Sequence, residues 1–123
     1  MPQAQPTLVV KLTAGGEALE RANQALTVAA TAAASGVSVS LWLTGEASWL
    51  AVPGHAEALS LPYAAPPADL IDAVLAAGSV TVCSQCAARR DITESDLRPG
   101  ATIRGAAAFV EEAMAEGARP LVY

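Results

Sequence analysis

Ser79-Val80-Thr81-Val82-Cys83-Ser84-Gln85-Cys86-Ala87-Ala88-Arg89-Arg90 changes character at its midpoint. Residues 79–83 are β-branched and apolar and predict a buried strand. A helix begun at residues 84–90 would place Cys83 at the junction, over backbone N–H groups at the positive end of a helix dipole. That environment raises the thiolate fraction of a cysteine. In such a helix Cys86 and Arg90, four residues apart, share a face. The same strand–helix alternation runs outward in both directions, and it decides the fold.

Upstream, Thr7–Leu12 reads as a strand, broken at Thr13-Ala14-Gly15-Gly16. A helix follows from Glu17 to about Ser35, with Leu19, Ala22, Leu26, Ala29, Ala30 and Ala33 along one face and Gly36 as its stop. Val37–Leu43 alternates as a second strand, and Thr44-Gly45-Glu46 opens a helical turn through Trp49 and Leu50. Residues 53–67 are broken by five Pro and Gly residues and read as an irregular connection, before a helix from Pro67 to Gly78. Downstream, Ala101–Ile103 is a weak strand, Phe109, Val110, Ala113 and Met114 line a last helix closed by Gly117, and Leu121–Tyr123 is a final strand. Such β–α alternation predicts an α/β fold with about five strands in a mostly parallel sheet and helices on both faces. In these sheets the loops at the carboxyl ends of the strands carry the chemistry, and Cys83 lies at one.

Composition limits what the chain does. Its 123 residues suit one domain spanning 1–123, and 53% hydrophobic content supplies a core. Twenty-nine of the residues are alanine and only 4% are aromatic, so that core must be aliphatic and closely packed. The formal net charge of −5, with Lys11 the sole lysine, argues against nucleic-acid partners. Charged residues make up 15%, below the usual figure of about 25%, so part of the surface is expected to be covered by other copies of the chain. Met1–Pro6 lacks the basic region of a leader, and Ser, Thr, Asn and Gln interrupt the uncharged span between Arg21 and Glu46. The expectation is a cytoplasmic protein without a membrane segment.

Charge is nevertheless uneven. Residues 83–104 carry Arg89, Arg90, Arg98 and Arg104 against three acidic residues, so both cysteines sit in the locally positive stretch of an acidic chain. Four chemistries can use Cys83-Ser84-Gln85-Cys86. A structural zinc site takes four ligands and finds only two Cys and His55 here, so it would have to be shared between subunits. A stabilising disulfide is unnecessary in a cytosolic domain with this core. A thioredoxin-type dithiol follows an early strand, whereas this pair follows roughly the third. The fourth is a cysteine that accepts and passes on sulfur as a persulfide. Nothing in the chain calls for a cofactor or a resident metal. Gly15-Gly16 lacks the spacing of a phosphate loop, His55 reads as a solvent-exposed loop residue, Trp42 and Trp49 suit either an interface or the core, and Glu111, Glu112 and Glu116 read as the solvated side of the last helix.

The segment Cys83-Ser84-Gln85-Cys86-Ala87-Ala88-Arg89-Arg90-Asp91-Ile92 resembles the DsrE/DsrF-like (TusD-like) sulfur-relay family, in which an apolar strand ends in Cys, often Cys-x-x-Cys, then Arg and a hydrophobic residue. Leu41-Trp42-Leu43-Thr44-Gly45-Glu46 resembles the family's second strand and turn, and Leu97-Arg98-Pro99-Gly100 through Ile103 and Gly105 resembles its ending. Where the family commonly has Gly directly after the Arg, this chain has Asp91. The resemblance implies a three-layer α/β/α domain assembled as a homotrimer or homohexamer. It implies that Cys83 takes sulfane sulfur from a donor protein and hands it to an acceptor protein, with Arg89 and Arg90 keeping the anions ionised and Cys86 as an optional resolving thiol. Two other functions stay open on the residues alone: a non-catalytic oligomeric scaffold with packing cysteines, and a dithiol–disulfide redox protein.

Overall fold

The computed structural model describes residues 5–123; the reading of a leaderless start at Met1–Ala4 lies outside them. In chain order the elements are β1 (Thr7–Leu12), α1 (Leu19–Ala34), β2 (Ser38–Leu43), α2 (Pro67–Ala77), β3 (Ser79–Cys83), α3 (Ser84–Arg89), β4 (Thr102–Arg104), α4 (Ala106–Ala113) and β5 (Ala118–Val122). The sheet runs β4-β3-β2-β1-β5 and every neighbouring pair is parallel, so it is wholly rather than mostly parallel. Each strand therefore delivers its carboxyl end to the same edge, and Cys83 stands there.

The two faces of the sheet differ. Val10 and Leu12 of β1, Val39, Leu41 and Leu43 of β2, and Val80 and Val82 of β3 share one face and are fully buried beneath α1 and α2. α1 meets them with Ala22, Ala25, Leu26, Ala29, Ala30 and Ala33. Small side chains let the helix backbone lie close to the strands at interior packing density, and much of the alanine content is spent there. α2 adds Ile71 and Val74, with Pro67 at its first turn as expected. Gly36, at φ +84°, stops α1 in a left-handed cap: the Val37 amide donates to the Ala32 carbonyl at 3.0 Å and the Gly36 amide to Ala33 at 3.1 Å.

The opposite face presents Val9, Lys11, Ser40, Trp42, Thr81, Cys83 and Arg104, one register step away from the first set. α4 alone covers it, completing three unequal layers. No residue of α4 is fully buried. What fastens the helix is Glu112, expected to be solvated. Its Oε1 accepts from Ser40 Oγ and, at 3.2 Å, from Trp42 Nε1, while Oε2 accepts from Arg104 Nη1 at 2.8 Å. Phe109 meets Trp42 edge-on, with ring centroids 5.4 Å apart.

Between β2 and α2 the chain forms a 3₁₀ segment at Gly45–Ala51. Thr44 does not cap it; its Oγ1 donates instead to the Leu12 carbonyl at 3.0 Å, tying β2 to β1. Arg98, buried at 7% exposure, braces this segment from below. Its Nε donates to the Leu50 carbonyl at 3.0 Å, and its guanidinium grips both Glu57 oxygens, at 2.9 and 2.6 Å. This arginine is structural, and it leaves the basic stretch less positive than its sequence count.

The Arg98 pair carries a pH signature. Hydrogen bonds from Arg98 lower the Glu57 carboxyl from 4.5 to about 2. A carboxylate favoured in the fold stabilises above its ordinary pKa, and that share is lost as pH falls from 4.5 towards about 2. Glu57 is half in solvent, so the share is at most about 1 kcal/mol. In urea titrations Glu57→Gln is expected to be less stable than wild type at neutral pH, with the gap closing as the pH approaches 2. A gap that persists in acid excludes this ion pair as its source.

Candidate functional site: a strand-end dithiol beside an ammonium

β3 ends at Cys83, and the next residue begins α3, so Cys83 takes the position flanking the helix with extended backbone (φ −63°, ψ 130°). Cys83 and Cys86 are both free thiols and both partly exposed. Burial pushes the Cys83 thiol up, but opposing groups outweigh it and hold the thiol below its ordinary value. The amides of Cys86 and Gln85 point towards the sulfur without closing a full cap hydrogen bond, and the Cys86 thiol and the Lys11 ammonium add to them. These amides belong to the first turn of α3, where backbone N–H groups have no helical partner.

Cys83 opens into a cavity of about 260 Å³ lined by Lys11, Trp42, Thr44, Ala106, Phe109 and Val110. The wall is largely apolar, and the Lys11 ammonium stands 5.1 Å from the centre of the Phe109 ring. The cation that lines this cavity is Lys11, which the sequence reading did not place at the site. Arg90 has two partners of its own. Its Nη1 donates to the Cys86 carbonyl at 3.1 Å and its Nε lies 3.7 Å from Glu46 Oε2. Although Arg90 shares a helix face with Cys86, it meets that residue's backbone. Arg89 is exposed on the last turn of α3. Sequence reasoning missed Lys11 altogether, although a lone lysine inside an apolar strand at the carboxyl edge was a usable signal. It also missed Phe109 and Glu112 as parts of the site.

Asp91 resolves the one departure from the family's pattern. It adopts φ +54°, the left-handed conformation that glycine takes without penalty. The Ile92 amide donates to the Ala87 carbonyl at 2.9 Å and the Asp91 amide to Ala88 at 3.3 Å, the same capping motif that closes α1. Ile92 is buried, so aspartate keeps the turn that glycine would make.

A larger cavity of about 390 Å³ lies by the 3₁₀ segment, lined by Gly16, Glu17, Glu46, Trp49, Leu50, His55 and Leu59, with no thiol in its lining. His55 is exposed, as read, and stacks on Trp49 at 4.9 Å. Among the described residues, no three His, Cys, Asp or Glu side chains gather as a metal site, and no helix is long and apolar enough to cross a membrane.

The fold is a small parallel α/β domain with a free thiol at the carboxyl end of a strand. The chain belongs to the DsrE/DsrF-like family, whose profile matches residues 8–123, a family associated with sulfur relay. No curated protein matches it in sequence. Solved structures share the fold, these two among them. The ychN protein from E. coli superposes with a TM-score of 0.78 at 17% identity, covering 98% of this chain and 100% of its own. The protein of unknown function MTH1491 from Methanobacterium thermoautotrophicum gives 0.73 at 10% identity, covering 97% and 100%.

Two outcomes are expected. Asp91→Gly raises stability by about 1 kcal/mol in chemical denaturation, since a left-handed residue with a side chain is strained; an unchanged or lower midpoint refutes that account. Glu112→Ala costs about 2–3 kcal/mol by leaving Trp42 Nε1 and Arg104 unpaired, and hydrogen exchange rises first across residues 106–113.

Proposed function

We propose that this chain, as one DsrE/F-like domain in the cytoplasm, carries sulfane sulfur as a persulfide on Cys83 and passes it to the thiol of a partner protein. The observation behind this reading is a strand-end cysteine held below its ordinary pKa and opening into an apolar cavity that contains an ammonium. The Cys83 thiolate attacks the outer sulfur of a donor persulfide. The donor's sulfur–sulfur bond breaks, its electron pair leaves with the donor thiolate, and a new sulfur–sulfur bond forms at Cys83. An acceptor thiolate repeats the step and Cys83 departs as thiolate. Sulfur moves with no net oxidation, so neither metal nor cofactor enters the balance.

Cys86 opens a branch. Its thiolate, attacking the inner sulfur of the Cys83 persulfide, forms a Cys83–Cys86 disulfide and expels hydrosulfide; a dithiol reductant then restores both thiols. The placement of the Cys86 thiol beside the Cys83 sulfur favours this branch, and with it the second reading of a dithiol–disulfide redox protein. Arg90 contributes by bracing α3 through the Cys86 carbonyl, and Arg89 offers an exposed cation to an incoming donor or acceptor protein. Val110 on α4 and Met114 just past its end, at 56% and 79% exposure, and Val122 on β5 at 66%, support assembly with further copies of the chain as a homotrimer or homohexamer.

Incubation with a persulfide donor followed by mass spectrometry tests the reading. Wild type and Cys86→Ser are expected to gain one sulfur atom at residue 83, and Cys83→Ser none. Equal loading of Cys83→Ser refutes it. A Cys83–Cys86 disulfide accumulating with no sulfur-loaded form establishes the redox reading in its place.

A further inference from the structure

Lys11 and Cys83 stand on the same face of the sheet. Lys11 pairs in register with Trp42, Trp42 with Thr81, and Cys83 follows two residues further along β3 on that side. Their strands are two spacings apart, about 10 Å, which a lysine's four-carbon stem largely bridges. Both line the one cavity, whose other walls are mostly apolar.

The Lys11 ammonium lacks an acidic partner: among the described residues, no carboxylate lies within 4 Å of it. It rests against the face of Phe109 instead, 5.1 Å from the ring centre. A partly desolvated cation without an anion is costly, and a ring face repays only part of that cost. The other cation on this face, Arg104, is already committed to Glu112 at 2.8 Å. The titratable and charged groups on this side of the sheet near Cys83 are Lys11 from β1, the Cys86 thiol from α3, Arg104 from β4 and Glu112 from α4; of the charged three, Lys11 is the one with no ion-pair partner among the described residues.

We propose that Lys11 is a positioning residue of the sulfur site, holding the anionic sulfur of Cys83, the thiolate before loading and the persulfide after it, against the Phe109 wall beneath α4. This rests on the sulfur-carrier reading for its second half. It assigns the charge role that the resemblance gave to Arg89 and Arg90 to a residue from the far side of β2.

The test uses the full chain in a Cys86→Ser background, so that Cys83 alone reports. Iodoacetamide alkylation of Cys83 is followed by mass spectrometry across a pH series for wild type, Lys11→Met and Lys11→Arg, and sulfur loading is measured beside it. Lys11→Met is expected to move the inflection up by about one pH unit and to slow alkylation at neutral pH by roughly five- to tenfold. Lys11→Arg returns most of the shift, because it restores charge without the lysine's shape. Should Lys11→Met fail to fold, Lys11→Gln is judged by the same criterion. A methionine or glutamine variant with the wild-type inflection overturns the assignment of Lys11. A wild type that takes no sulfur at Cys83 while the inflection still shifts overturns the carrier reading alone.

Discussion

One carboxylate sets the architecture around Cys83. Glu112 draws Ser40, Trp42 and Arg104 together and holds α4 across a sheet face that offers it little apolar surface. On the other face α1 and α2 fill every gap between themselves and the strands with alanine, leucine, isoleucine and valine. Close packing leaves no room for a site there. Under α4 the cover is one short helix held at a polar point, and beside that point the cavity opens between Phe109, Trp42 and the strand ends. The cavity that Cys83 lines opens on the loosely covered side of the sheet.

Much of this was legible in the sequence, for reasons tied to particular residues. The β-branched run of 79–83 and the alanine-rich span after Glu17 are strong local patterns, and local patterns fix which elements exist. Gly36 and Pro67 marked helix ends through their own backbone preferences, and both act at the positions expected. Parallel pairing followed from alternation, since a strand–helix–strand unit in one sheet returns in the same direction. From these alone Cys83 could be placed at the carboxyl edge.

What stayed hidden depends on residues distant in sequence. Lys11 shares a cavity with Cys83 across β2, a juxtaposition set by strand order β3-β2-β1, which no local pattern encodes. Glu112 looked solvated because its neighbours Glu111 and Glu116 are exposed, and its partners lie at positions 40, 42 and 104. Arg98 counted as part of a basic stretch, yet its partners Leu50 and Glu57 remove it from that role. Proximity in sequence favoured Arg89 and Arg90 as the thiol's cations; Arg90 reaches back along α3 to the Cys86 carbonyl and to Glu46, partners that its place in the sequence does not announce. Asp91 shows the reverse: a departure in residue type left the backbone conformation unchanged, because aspartate tolerates the left-handed region better than most residues with a side chain.

The order of the two sulfurs follows from where they sit on α3. Cys83 precedes the first helical residue, so the free amides of the opening turn are directed at its side chain, and Lys11 approaches from the same cavity. Cys86 lies within that turn and supplies one of those amides rather than receiving them. Under the proposed carrier reading, the first position suits the attacking sulfur and the second a resolving thiol. Two intervening residues place the Cys86 thiol one helical turn from Cys83, where it joins the groups that lower the Cys83 thiol, and the turn's amides and the ammonium act on the sulfur at the strand end.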